Sequence, residues 1–548
     1  MKASNNTPLM LKASLLLAIL PVAVTVSAQD TVKRKTIDIT SSFKPSLIQQ
    51  QKLGLTASAA PADSVRPRLQ YSIPSQNLAF GFSPAPLRPM AFQADSNATA
   101  DRPGVYVKAG YGNFQTPYLK AMASFGNGVK SNGNLEGHYL ASKGQLPYQQ
   151  FSQFGAKANL WLHMKQNNSL HLFGGLDGSS TYRYGFGEKP APPEDSLKLR
   201  YTTATVGAAL ANAIGGENGV SYNGKLDAHF FSDNQEGQEV ALRFDVPVTK
   251  QISDNAALTL GIKGMLSNLN GRDTSFGNNL FMIPVQANLQ LKEGLRLYAG
   301  VIPSWNNKAF ALLPDVKLEY LLNQQNMSVE AGVRGYYDEN TFRSLAATNP
   351  WMQQPTQLTN TRNLEVYAAL KANVNEYLSY RAKLGVGKQY NVPLWVNDAK
   401  DGREFELQFE PSLSRFFLAG ELVYQKGQRF RWSNSLQING FSSLKVADKA
   451  FGLLPMELRS SVNLMILKDL RFKADLYSFS GAWYRPVGGG DSKRGKSVLD
   501  LNAGVEFDVT AKLKLWLQLN NIANMDYQRW HQYRVLGFQA LGGIIFHL

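Results

Sequence analysis

The chain has 548 residues, of which 44% are hydrophobic, 18% charged and 11% aromatic, with no cysteine and a formal net charge of +16. The charged share lies below the roughly one quarter usual in soluble proteins, and the missing thiols exclude disulfides, thiolate metal sites and a lipoprotein anchor together. Past residue 30 no run of about 18 apolar residues occurs, which excludes a transmembrane helix but leaves a membrane barrel open.

Residues 1–28 read as a targeting segment. Lys2 and Lys12 supply positive charge, and Leu15 to Val26 form an apolar stretch too short to span a bilayer. Pro21 interrupts that stretch, which argues against an anchoring helix. Val26-Ser27-Ala28 fits a small-residue cleavage site and predicts a mature start at Gln29. Losing Lys2 and Lys12 takes the charge from +16 to +14. An exported chain rarely meets nucleic acid, so the basic excess is better explained by side chains inside a lumen or beside anionic lipid.

Residues 29–103 are different in kind. A basic, polar stretch leads into Pro61, Pro67, Pro74, Pro84, Pro86, Pro89 and Pro103. Proline at that density excludes helix and sheet interior. The expectation is an extended periplasmic arm, with a disordered linker as the alternative. Tyr71, Phe80, Phe82 and Leu87 give it apolar surface with which to dock.

From Gly104 the sequence has a period of two. Ala156, Ala158, Leu160, Leu162 and Met164 alternate with Lys157, Asn159, Trp161 and His163. Val240, Leu242, Phe244 and Val246 alternate with Glu239, Arg243 and Asp245, and the same holds around Leu378–Leu384 and Leu470–Leu476. Such a length of strand is too great for one sandwich. Short polar turns are expected near Gly128, Asn167, Gly215, Asn255, Glu293, Gln324, Asn375, Leu413, Asp469 and Thr510. Longer connections are expected at Tyr184–Ser196, Asp338–Leu358, Gln389–Gly402 and Val487–Lys496. Ten short turns, with both termini on the same side, require about 22 strands. The chain ends on Ile544, Phe546 and Leu548 in register, as expected where the last strand pairs with the first to remove the sheet edge. The predicted fold is all-β: a transmembrane antiparallel β-barrel of about 22 strands over residues 104–548, preceded by the Pro-rich arm.

Charges on the polar faces are the candidate lumen-lining residues: Lys157, Arg243, Asp245, Arg381, Lys383, Arg471, Lys473, Asp475, Glu506 and Lys514. Lys263, Glu365, Lys371, Glu406 and Asp500 belong to the same pattern. Two readings stand: rings that tune selectivity, or cross-strand ion pairs that stiffen the wall. His163 and His171 flank a turn, but two histidines alone seldom hold a metal. No motif points to a Ser-His-Asp hydrolase, and Gly488-Gly489-Gly490 reads as a loop tip. Trp305, Trp351, Trp395, Trp432, Trp483 and Trp530 fall near strand ends, as an interfacial aromatic belt requires, with carbohydrate stacking in the outer loops as the alternative.

The C-terminal stretch, with Asn520-Asn521, Asn524, Tyr527-Gln528-Arg529-Trp530, Tyr533 and Gly537, resembles the closing strands of TonB-dependent-receptor-like outer-membrane proteins of the Bacteroidetes. Ser42-Phe43-Lys44-Pro45 and the opening hairpin Gly110–Ala121 agree with it. The resemblance implies 22 strands and a place in the bacterial outer membrane. It also implies a plug domain before the barrel, and the Pro-rich residues 29–103 do not read as one. Asp30-Thr31-Val32 matches part of a TonB-contacting box, but three residues are better read as coincidence. The expected function is therefore a plug-less channel for small solutes, with a docking subunit of an outer-membrane complex as the alternative. No enzyme activity, cofactor, metal or nucleic acid is expected. The expected partners are outer-membrane lipid and lipopolysaccharide, and envelope proteins reached through the arm or the outer loops.

Overall fold

The computed structural model describes residues 104–548 apart from 128–129, 166–167, 186–192, 213–218, 273 and 323–326. The targeting segment, the arm, and the matches at Asp30–Val32 and Ser42–Pro45 lie outside the described residues.

The described residues form a closed antiparallel barrel. In chain order its strands are Gly104–Gly112, Thr116–Gly126, Ser131–Ser142, Phe151–His163, Asn168–Tyr182, Lys198–Asn212, Val220–Asp233 and Gln238–Ser253. Next come Ala256–Asn270, an interrupted strand made of Ser275–Met282 and Val285–Lys292, then Leu295–Asn306, Ala309–Leu322, Met327–Asp338, Thr361–Asn373, Leu378–Asn397 and Phe405–Lys426. The last six are Phe430–Ser442, Met456–Leu467, Leu470–Phe479, Val498–Asp508, Leu513–Asn520 and Gln539–His547. Both halves of the interrupted strand pair with Ala256–Asn270, and the break falls at Pro284, which has no N–H to give the ladder. Counted as one strand, it makes the total 22, as the turn spacing requires.

The ends meet as the terminal apolar pattern predicts. Tyr106 lies opposite His547 and Gly112 opposite Leu541. The Leu548 N–H donates to the Val105 carbonyl at 2.9 Å, just past the last strand. Trp516 lies across this seam, its indole N–H donating to the Ala109 carbonyl at 3.1 Å. Gly110 makes room for it, because a Cβ there would collide with the indole.

Alternation sets the two faces. On Leu378–Asn397, Leu384 and Val386 are 53% and 57% exposed, while Lys383 on the other row pairs with Glu365 at 2.5 Å. Val206, Leu226, Phe230, Leu260 and Val366 repeat the exposed apolar row around the circumference. So wide an exposed apolar surface is foreign to a water-soluble monomer.

Nine of the ten expected turns fall between consecutive strands. Gly128, Asn167, Gly215 and Gln324 themselves lie outside the described residues. Leu413 does not sit in a turn; it is fully buried within Phe405–Lys426. The ladder runs on past Pro411: Asn391 on the partner strand takes φ 56° at that level, and the register is the same on either side, with Tyr390 opposite Ser412 and Val392 opposite Glu410. The true turn is at Gly427, with φ 57°. The connection expected at Gln389–Gly402 is likewise strand as far as Asn397.

Candidate functional site

Connections at one end of the barrel are short. At the other end, opposite the termini, the connection between Met327–Asp338 and Thr361–Asn373 turns into the barrel and carries the helix Phe342–Thr348. Phe342, Leu345 and Ala346 pack with Leu199, Tyr201, Phe231 and Leu269, all on strand rows opposite the exposed apolar rows. Phe231 meets Phe342 edge-on at 5.1 Å.

Polar contacts fix the position of this segment. Thr341 caps the helix, its hydroxyl accepting the Ser344 N–H at 3.0 Å, and the Ser344 hydroxyl accepts the Thr341 N–H at 3.0 Å. The remaining first-turn donors go to the wall. The Glu239 carboxylate accepts the N–H groups of Phe342 and Arg343 at 2.9 and 3.0 Å. At the base, Asn278 donates to the Asn340 carbonyl, Asn340 to Thr361 Oγ1 and Asn360 to Asn306 Oδ1, each at 2.8 Å. Farther along, Tyr201 Oη donates to the Pro350 carbonyl at 2.7 Å, and the Trp351 indole to the Tyr182 carbonyl at 2.9 Å.

Other connections complete the lid. Buried Glu410 accepts the Lys445 and Ala447 N–H groups at 2.5 and 2.8 Å and pins the loop after Ser442. Tyr527 donates to Asp500 at 2.7 Å and holds the loop after Asn520. Trp395, Phe405, Phe451, Trp530 and Tyr533 join Phe342 and Leu345 in one hydrophobic core. The six tryptophans therefore divide. Trp305 and Trp432 are exposed on strands, as belt residues are, whereas Trp351, Trp395, Trp483 and Trp530 belong to the loop core or pack against it.

Beneath the helix lies a cavity of about 480 Å³. Its walls include Asp177, Thr203 and Thr205 from strands, Arg343 from the helix, and Tyr184, Trp351, Arg529, Trp530 and Tyr533 from the loops. Trp351 and Tyr533 stack at 3.8 Å. Arg529 donates to the Gly452 carbonyl at 2.9 Å and lies 4.3 Å over the Trp530 ring. Burial pushes its pKa down to about 10, so it keeps its charge at neutral pH.

The charged residues singled out in the sequence are distributed around the wall. Asp245 pairs with Lys263 directly opposite at 2.8 Å, and Lys514 with Asp508 at 3.1 Å. Glu506 pairs with Lys108 at 3.4 Å, Arg471 approaches Asp508 at 4.0 Å, and Lys371 pairs with Glu330. Arg243 lies 3.3 Å from Asp227 and 3.6 Å from Glu339. Lys473 and Asp475 neighbour each other on one row, and Asp475 bonds Ser461. Arg381 occupies the row of Lys383, and Lys157 reaches the cavity. Glu406 is on the exposed row instead, because Phe405, Leu407 and Phe409 turn toward the loop core.

The histidines do not assemble a centre. Register sets His163 opposite Ser169 and His171 opposite Trp161, on which it stacks at 4.5 Å. Among the described residues no group of three or more His, Cys, Asp or Glu is arranged to hold a metal. Thr205, His229 and Asp227 do follow one another, at 3.0 and 2.6 Å. Arg243 contacts the same ring nitrogen as Asp227, however, and that cation opposes the imidazolium a general base must become.

One loop histidine does respond to pH. His531 stacks on Tyr484 at 3.9 Å, and burial lowers its pKa to about 4. The undocked loop would titrate near 6.5. Between those values the undocked state takes up a proton that the docked state refuses, so docking weakens as pH falls from 6.5 toward 4. Protease protection of the loop after Asn520 should decline across that window, and His531→Phe should flatten the decline.

No family model and no curated protein matches this sequence. Solved structures match in fold. The FrpB iron transporter from Neisseria meningitidis (F3-3 variant) superposes with a TM-score of 0.64 at 10% identity, covering 82% of each chain. The siderophore receptor PiuA from Acinetobacter baumannii gives 0.61 at 8% identity, again over 82% of each. A mutant of the ferric enterobactin receptor PfeA from Pseudomonas aeruginosa gives 0.59 at 11%, over 81% of this chain and 80% of that one. The barrel is thus similar in architecture to the TonB-dependent-receptor group, as the closing-strand resemblance implied. These matched structures are an iron transporter and receptors for siderophores and ferric enterobactin.

Proposed function

We propose that this chain spans the bacterial outer membrane as a plug-less channel for small solutes, with its own segment 339–360 as the constriction. The barrel lies in the outer membrane with the exposed Leu, Val and Phe rows against lipid, the short turns in the periplasm and the long connections outside. The observation that carries the reading is the helix Phe342–Thr348 held inside a closed 22-strand wall by Glu239 and the asparagine cluster. A segment fixed in that position narrows the lumen as a separate plug domain would, so passage depends on its own loops. The charged inward rows, among them Lys157, Arg243, Asp245, Arg381, Lys383, Lys473 and Glu506, line the aqueous path. Residues 29–103, outside the described residues, are expected to lower the flux, and the outer loops meet lipopolysaccharide.

The test is conductance in planar bilayers with solute-driven liposome swelling, on the mature chain and on the chain lacking residues 29–103. Flux is expected from both, greater without those residues. Absence of flux from both, with a stable protein partner retained in mild detergent, would replace the channel with a docking subunit.

The membrane assignment has its own check. Leu384 lies six residues above the start of its strand at Leu378, near mid-depth on the exposed row. Leu384→Arg should cost about 2–4 kcal/mol of folding into lipid. Arginine at inward position 383 should cost little. Equal effects at the two positions would refute the lipid-facing assignment.

A further inference from the structure

The cavity under the helix is strongly basic. Lys157, Arg343, Arg529 and Arg534 reach it, against Asp177 alone among acidic side chains. Arg534 is matched by Asp526 at 3.3 Å. Among the described residues, Lys157, Arg343 and Arg529 have no carboxylate oxygen within 4.0 Å. Glu239, Asp227 and Asp177 act on Arg343 only at longer range, and the two Glu239 oxygens accept backbone N–H groups of the helix instead. Arg529 is held by the Gly452 carbonyl and the Trp530 ring, yet its Nε and Nη1 are buried without an acceptor. Leaving such donors unmatched costs about 1–3 kcal/mol, more for a charged group. The wall fixes the cation in position and leaves its hydrogen-bonding edge to something else.

The same cavity offers flat surfaces. Trp351, Tyr533, Tyr184 and Trp530 line it, with the first two stacked. Its volume is about 480 Å³, within the range of small-molecule sites. We propose that this cavity is the recognition site for a small organic anion, a carboxylate or phosphate group borne on a flat ring, with Arg343 and Arg529 gripping the oxyanion and the Trp351–Tyr533 pair taking the ring. The inference rests on the channel reading for its biological sense, since it names the solute class, but the binding itself does not require passage.

The experiment uses the mature chain in detergent and follows tryptophan fluorescence during titration with benzoate, phenyl phosphate, inorganic phosphate and the neutral isostere benzamide. Benzoate and phenyl phosphate should bind, inorganic phosphate more weakly and benzamide least. Arg343→Gln should weaken benzoate about tenfold, the order expected for one charge-assisted hydrogen bond, and Arg343→Lys should restore part of the loss. Arg529→Gln should do the same, with near-ultraviolet circular dichroism to check that the loop core remains folded. Benzamide binding as well as benzoate, or benzoate binding indifferent to Arg343→Gln, would overturn the proposal. Conductance measured on the same samples separates the two readings. Conductance without benzoate binding defeats the anion site and leaves the channel; benzoate binding without conductance defeats the channel and leaves the site.

Discussion

Glu239→Ala should open the barrel. Glu239 is 2% exposed and accepts three hydrogen bonds, two from the first helical N–H groups at Phe342 and Arg343 and one from Ser267 Oγ at 3.0 Å. Alanine leaves all three donors buried and unmatched. Bonds to a charged acceptor are worth about 1.5–3 kcal/mol each, and truncating one partner of a buried charged contact costs about 3–5 kcal/mol. A loss in the middle of that range shifts the balance between inward and released segment by roughly a thousandfold. The observable is a rise in single-channel conductance, because a released segment no longer crosses the lumen. Glu239→Gln should rise less, since its amide keeps one acceptor and turns a donor toward the other N–H. Trypsin gives an independent reading: Arg343 is the one basic residue between positions 339 and 360, and its peptide bond should become cleavable when the segment leaves. Unchanged conductance and unchanged trypsin resistance in Glu239→Ala would mean that the segment is not the constriction.

The wall of this molecule was legible in its sequence and the lid was not, for a physical reason. A strand between lipid and water repeats its environment every second residue, so Leu384-Gly385-Val386 beside Lys383 declares both faces locally. A loop that folds inward has no such period. Trp351, Trp395 and Trp530 fall near strand ends just as Trp305 does, and a one-dimensional pattern does not separate an aromatic at the lipid interface from one in a core of loops. Arg343 and Arg529 were passed over because candidates were sought on alternating rows, and both lie on connections. A faint signal existed: Thr341 and Ser344 have capping-box spacing, but serine replaces the acidic or amide residue that makes that motif conspicuous. Some of the charges that were found satisfy one another across neighbouring strands, Asp245 with Lys263 and Glu365 with Lys383, as wall-stiffening pairs would. Asp500, read as a pore residue, instead anchors Tyr527. The misplaced turn at Leu413 has the same origin. Pro411 has no N–H to give the ladder, yet the strand continues past it in unchanged register, with Asn391 of the partner strand at φ 56°.

If Trp530 organises the loops as their packing indicates, Trp530→Ala should collapse the lid and spare the cylinder. Trp530 is 4% exposed, lies edge-on to Trp395 at 5.6 Å and to Phe405 at 5.4 Å, and carries Arg529 over its face. Gly452, at φ 77°, brings its loop against the same ring, so one indole joins strand extensions and two connections. Truncating a buried tryptophan costs about 3–5 kcal/mol. The cation–π contact adds about 0.5–2 kcal/mol. That exceeds what loops held by only two short ladders, Trp483–Tyr484 with Lys493–Arg494 and Gln528–Trp530 with Tyr533–Arg534, are expected to withstand, whereas the barrel retains every strand pairing. The expected result is loss of near-ultraviolet circular dichroism and rapid proteolysis of the connections after Ser442 and Asn520, with the far-ultraviolet β signal and resistance of the barrel to cold detergent unchanged. Benzoate binding should vanish with it, because Arg529 loses the ring that orients it. Trp432→Ala is the control. That side chain is 37% exposed on a strand, bonded to Ser460 Oγ at 3.0 Å, and its removal should disturb neither the loops nor the cavity. If the two substitutions behave alike, the loop core is not a unit separable from the wall, and the constriction inferred from it loses its structural basis.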